Sequence, residues 1–216
     1  QTGEASVELL KITAPADLEV ASLFRGVPPS GEIALTIFDR HEGESEQSVS
    51  WVGSIQSVSW PKREQAQLVC QPLSARMTMQ GLRQGWEPAC HHALYSVACG
   101  VNRDLYRISA LIQGITGAAI INGAFAGYPD GYFTAGWVEW PIGSGEYDMR
   151  SIERHSGSNL VLLGGTAGLQ AGQTLRVYPG CNQTMPICNS RFGNHLNFGG
   201  IWHLPGRSPF DGDPVF

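Results

Sequence analysis

RISALIQGITGAAIING, residues Arg107–Gly123, decides how the chain is read. Its β-branched and apolar residues favour extended backbone, and its glycines are too frequent for a stable helix. It reads as one long strand, or as a strand pair broken near Gly114–Gly117. The chain after it continues in the same style. YFTAGWVEW (Tyr132–Trp140) alternates aromatic and small residues, and EYDMRSIERHSG (Glu146–Gly157), NLVLLGG (Asn159–Gly165) and TLRVYPG (Thr174–Gly180) follow, each bounded by Gly, Asn or Ser. Short strands about ten residues apart with turn residues between them predict an antiparallel meander, in a small barrel or sandwich, over 107–180.

Upstream, residues 1–79 predict a separate β block. SVELLKIT (Ser6–Thr13) is strand-like, ADLEVASLFRG resembles a short helix ending at Gly26, and EIALTIFDR (Glu32–Arg40) sends Ile33, Leu35 and Ile37 to one face. After a polar hairpin loop, SWVGSIQSVSW (Ser50–Trp60) is a strand with Gly53 as a candidate bulge, and QAQLVCQPL (Gln65–Leu73) is another. Cys70 falls inside that last apolar strand, where a lone cysteine is expected to serve as a small core residue. Residues 80–216 form the second part. Its final segment, 189–216, has no strand or helix period and is expected to pack as extended chain over the cysteines or to reach a neighbouring subunit. In the junction, ALYSV suggests one helical turn.

The composition is that of a folded, mainly β chain: 216 residues, 42% hydrophobic, 15% charged, with 27 glycines. A net charge of −5 with no basic patch argues against a nucleic-acid partner. No apolar run approaches the roughly 20 residues that span a bilayer, and the start lacks a signal-peptide pattern.

Four of the five cysteines bracket the meander in two pairs: Cys90 and Cys99 in CHHALYSVAC, Cys181 and Cys188 in CNQTMPIC. Without export signals, clustered thiols point to metal in a reducing assembly compartment. Loops of eight and six residues within the pairs are longer than zinc knuckles usually are. They suit a [4Fe–4S] cluster, in which each thiolate meets a different iron. Tyr95, Phe192, Phe198 and Trp202 are candidates to shield it. Spacing alone leaves a cluster, zinc and two disulfides open. His91, His92, His195 and His203 lie close enough in sequence for a mixed Cys/His zinc site, with hydrogen bonding as their simpler role. No nucleophile elbow, phosphate loop or EF-hand spacing is present, and Cys90–His91 adjacency is not the geometry of a thiol hydrolase. Glu42, Glu44, Glu46, Asp211 and Asp213 read as solvated loop charges. Tyr132, Trp137 and Trp140 read as strand packing.

CHHALYSVACGVN, FTAGWVEW and YPGCNQTMPICNSRFGNHLNFGGIWHLPGRSPF together resemble the phage tail-tip hub family, that of the lambdoid minor tail protein L, and gene transfer agent hub proteins. The C-terminal run of Cys, Cys, RFGN, NFGG and PGR-PF is its most specific part. The resemblance implies a structural virion protein rather than an enzyme. It implies a tail-hub β-domain over 1–79, preceded in relatives by a few dozen further residues, and a cysteine-clasped domain over 80–216. It further implies three copies at the tip of a long non-contractile tail, assembled in the host cytoplasm, between the distal tail protein ring and the tip protein that carries host recognition. The four cysteines map onto the family's [4Fe–4S] ligands, so the meander is expected to be closed by an iron–sulfur site at Cys90, Cys99, Cys181 and Cys188, with Cys70 outside the set. The rival readings are a zinc-stabilised binding module and a tail-associated cell-wall hydrolase.

Overall fold

Alternating burial organises both halves of the chain. The computed structural model describes residues 9–43, 45–78, 81, 85–143 and 145–204, and its contacts divide the chain into two compact units, 1–82 and 83–216.

In the first unit, β1 (Leu10–Pro15), β2 (Ala34–Asp39), β3 (Ser48–Lys62) and β4 (Gln65–Pro72) form an antiparallel sheet in the order β1-β4-β3-β2. β4 alternates buried and half-buried residues, with Ala66, Leu68 and Cys70 on the inner face. Cys70 is 0% exposed in a cluster with Leu68 and Ile55, so it is a core residue. Two expectations need correction. The helix predicted over 16–26 is only the single turn α1 (Glu19–Ser22): beyond it the chain tightens into i→i−3 bonds, Phe24 N–H to Ala21 O (3.1 Å) and Arg25 N–H to Ser22 O (3.0 Å). Gly53 is not a bulge: it pairs regularly with Leu35 and Pro72, and the register shifts fall at Ile37/Phe38, Ile55/Ser57 and Ser59/Lys62. Its small size is required for another reason. A Cβ there would lie 2.1 Å from the Gln71 carbonyl oxygen and 2.3 Å from the Trp51 ring.

The second unit is a seven-stranded antiparallel sheet. Its strands are β5 (Ile108–Leu111), β6 (Gly114–Thr116), β7 (Ala119–Ile121), β8 (Trp137–Gly143), β9 (Glu146–Ser156), β10 (Asn159–Leu162) and β11 (Thr174–Tyr178), in the order β5-β11-β8-β9-β10-β7-β6. β5 and β6 lie at opposite edges, yet only Ile112 and Gln113 connect them. Three residue steps reach roughly 10 Å, so the sheet must curl until its edges nearly meet. The switch of partner occurs between those two residues. Ile112 N–H donates to Gln173 O (2.9 Å) on the β11 side, and Gln113 N–H donates to Ile121 O (3.0 Å) on the β7 side. Buried Asn122 braces this corner: Nδ2 donates to Leu111 O (2.5 Å), and Oδ1 accepts from Ala124 N–H (2.7 Å). Gln113 Oε1 accepts from Gly123 N–H (2.8 Å). The interior is filled by Ile112, Ile120, Phe125, Phe133, Trp140, Leu160 and Val177.

β5 and β6, with the bend at Ile112 and Gln113 between them, therefore bring the two edges of the meander near one another. Backbone hydrogen bonds shape the sheet at this bend, and the expected iron–sulfur closure is not seen among the described residues. After β11 comes a further departure, helix α2 (Met185–Phe192), where a periodless stretch was expected from 189 onward. It is short, with Pro186 in its first turn and Gly193 in the left-handed conformation (φ 60°) at its end. ALYSV does not form a helical turn: Tyr95 sits at φ 63°, which breaks it. Residues 205–216, including Asp211 and Asp213, and Glu44 lie outside the described residues.

Candidate metal centre

Three segments of the second unit meet beside β8 and β11: the loop carrying Cys90 and Cys99, the turn after β11 carrying Cys181, and α2 carrying Cys188. Backbone pairing joins them, with Cys90 N–H donating to Gln183 O (2.8 Å) and Ile201 N–H to Glu87 O (2.9 Å). Tyr95 locks the loop down. Its hydroxyl donates to Pro179 O (3.1 Å), and its ring packs edge-on against Trp137 (5.2 Å) and Phe192 (6.0 Å). Tyr106 OH donates to Phe192 O (3.2 Å). From α2, the Arg191 guanidinium donates to Tyr132 O (2.9 Å) and Gly180 O and lies over the Tyr132 ring at 4.6 Å. These contacts need bare backbone: a Cβ on Gly180 would lie 1.8 Å from Thr134 O, and one on Gly136 2.0 Å from Tyr178 O.

The result is one cavity of about 300 Å³ lined by all four paired cysteines, with His92, Leu94, Val101, Gln183, Phe192 and Asn194 among its other walls. All five cysteines are free thiols, so the two-disulfide reading finds no bond here. Cys99 and Cys188 are buried, and Cys90 and Cys181 half-buried. Nitrogen donors face the sulfurs. Gly199 N–H donates to Cys90 Sγ (3.3 Å), Gln183 N–H to Cys181 Sγ (3.3 Å), and Asn194 Nδ2 lies 3.8 Å from Cys99 Sγ. Burial pushes the Cys188 thiol up to about 11, with the charges of Cys181, Cys90 and Cys99 adding to it. Cys181 is also raised by burial, against which the Gln183 N–H pulls down. Four thiolates crowded this closely need cationic charge among them to ionise together.

Among the described residues, no three His, Cys, Asp or Glu side chains converge tightly enough to hold a single metal ion. A volume of about 300 Å³ is roughly ten times a water molecule's share of liquid volume. Soft donors around a roomy, half-sheltered space, with N–H groups aimed at sulfur, fit a polynuclear iron–sulfur cluster as a donor set. They fit a single zinc less well, since zinc draws its four sulfurs to about 2.3 Å.

The histidines divide. His92 reaches the cavity and packs so closely on Gly199 that a Cβ there would lie 2.6 Å from its Nε2. His91 sits edge-on to His92 (4.5 Å), while His195 and His203 are exposed and His203 stacks on Trp202. Of the expected shields, Tyr95 and Phe192 pack at the site. Trp202 is 55% exposed and lines a separate groove with Pro88, Met185 and Pro186.

Sequence reading missed a buried polar cluster beside the site. Glu139 is 3% exposed, and its carboxylate accepts from Trp137 Nε1 (3.1 Å), Tyr178 OH (3.0 Å) and Arg103 (3.4 Å). A glutamate flanked by tryptophans in an apolar strand was its only signal. Arg191 and Asn194 were visible only as members of RFGN.

Residues 131–208 match the model of a family described as "Phage conserved hypothetical protein BR0599". No curated protein matches the chain. Among solved structures, a chain of the "Virion of native gene transfer agent (GTA) particle" is similar in fold, with a TM-score of 0.67 and 25% identity; the match covers 84% of this chain and 65% of that one. The protein is thus similar in fold to a gene transfer agent virion protein, and over 131–208 its sequence follows a pattern conserved in phages.

Proposed function

We propose that the protein is a structural virion component of a phage or gene transfer agent particle, in which Cys90, Cys99, Cys181 and Cys188 hold a [4Fe–4S] cluster. The observation that carries the cluster reading is the convergence of four free thiols, from three chain segments, on one cavity of about 300 Å³. The likeness to a virion chain and to a phage-conserved family supports the particle context. The tail-tip hub position, the three copies, and contacts with the distal tail ring and the host-recognition tip protein rest on the sequence resemblance.

When bound, a cluster would supply covalent cross-linking of segments whose shared apolar cluster is small, with Cys99, Val101 and Phe192 as its buried members. The protein's residues do the rest. Tyr95, Tyr106 and Arg191 fix the three segments against β8 and β11, and the N–H groups of Gly199 and Gln183 stabilise charge on sulfur. The role is mechanical: a loop-rich surface is held in one shape for assembly.

Iron and acid-labile sulfide in equal amounts in anaerobically purified protein, with visible charge-transfer absorption, is the expected result. Zinc without iron would overturn it. Cys181→Ser is expected to lose the iron and to give tailless or tipless particles, and normal particles from that variant would sink the structural role.

A further inference from the structure

Of the four cysteines at the cavity, the two buried ones come from different pairs, Cys99 from the loop and Cys188 from α2, and one residue lies against both. Gly193 ends α2 in the left-handed conformation and turns the chain back over its last carbonyls. Asn194 is then held with its N–H donating to Cys188 O (3.1 Å), and its own carbonyl accepts from the Cys188 thiol (3.2 Å). Its side-chain Nδ2 donates to Cys99 O (2.6 Å) and lies 3.8 Å from Cys99 Sγ. The orientation of this amide is fixed by Asn197, whose Nδ2 donates to Asn194 Oδ1 (2.8 Å). Cys90 and Cys181 receive their N–H contacts from backbone. Asn194 is the only side-chain amide seen on a cysteine sulfur among the described residues.

Resting on the cluster reading above, we propose that Asn194 is a positioning residue for the metal centre, holding Cys99 and Cys188 in register and setting the cluster's electron affinity from the buried side. The contact that bears on the centre is the one from Nδ2 to Cys99. An N–H dipole aimed at a ligand sulfur stabilises the added electron of the reduced cluster, and partners outside the ligand set commonly alter metal retention 10–100-fold.

The test compares full-length wild-type protein with Asn194→Ala and Asn194→Asp, purified anaerobically. Asp keeps the size of the side chain and the oxygen that accepts from Asn197 but lacks the donor. Two quantities are read on folded protein: the cluster's midpoint potential, and the rate of iron loss to a chelator. Both variants are expected to have a lower potential, Asp more so than Ala because it adds negative charge, and to release iron about tenfold faster. If Ala fails to fold, the Asp variant carries the test. A wild-type potential and wild-type chelation rate in the folded variants would overturn this inference alone. Wild-type protein without iron would overturn the cluster reading and this inference with it.

Discussion

Tyr178 and Glu139 show how one residue pair sets a measurable property. Tyr178 is 1% exposed, and burial first, then its hydrogen bond to the Glu139 carboxylate, pushes its hydroxyl up to about 12 from an ordinary 10. The folded state therefore keeps a proton that the unfolded chain releases. Its contribution to stability is complete below about pH 10 and is lost as pH rises toward about 12, on the order of 2 kcal/mol. Urea unfolding across that window should show the decline, and Glu139→Gln should narrow it by removing the charge. Glu139→Ala is expected to cost about 2–4 kcal/mol, because Trp137 Nε1 and the Tyr178 hydroxyl lose their acceptor while buried. Half-exposed Arg103 adds little of this. At Gly180, Ala is expected to be more damaging than most surface changes. Its Cβ would collide with backbone at Thr134 O and Gly136 N, which have no rotamer to move into, so a loss of several kcal/mol should appear in thermal unfolding.

Two features decide the shape of the second unit: the bend at Ile112 and Gln113 between β5 and β6, and α2. At the bend, Asn122→Ala removes the donor to Leu111 O and the acceptor for Ala124 N–H, an expected loss of about 1–3 kcal/mol. Ile112→Ala, at a residue 2% exposed, is expected to cost about 2–4 kcal/mol through the cavity it leaves. Either loss should appear as a lower denaturation midpoint at unchanged slope. An unchanged midpoint in both would mean that the corner does not hold the sheet closed. Arg191 ties α2 to the sheet. Arg191 satisfies the Tyr132 and Gly180 carbonyls while lying on a ring, so Lys, with a point charge in place of a planar fork, should fail to restore what Ala loses.

Across the whole molecule, each unit has its own core, one around Leu68 and Cys70 and one around Phe125, Phe133 and Trp140. Calorimetry is expected to resolve separate responses. Cys70→Ser buries a hydroxyl among apolar side chains and should destabilise only the first unit by about 1–3 kcal/mol, with metal content unchanged. Cys181→Ser should lower only the transition of the second. A single transition moved by both variants would show that the units unfold together.

Period and turn residues in the sequence determined most of the strands and the core role of Cys70, whereas the grouping of the other four cysteines came from their paired spacing and the family resemblance. The strands and Cys70 follow from local rules: alternation fixes which face is buried, and glycines mark where strands stop. Tertiary structure decided the rest. That β5 and β6, joined only by Ile112 and Gln113, serve the two edges of one curled sheet depends on partners in different directions: Ile121, 8 residues beyond Gln113, and Gln173, 61 residues beyond Ile112. The reading of Gly53 as a bulge failed because its constraint is a neighbouring strand's carbonyl, and α2 was missed because its short apolar face, Ile187, Cys188 and Phe192, finds its partners in the distant loop around Cys99 and Val101. Glu139 was unreadable for the same reason. A buried charge is tolerated only where distant donors converge on it, and such convergence exists only once the chain has folded.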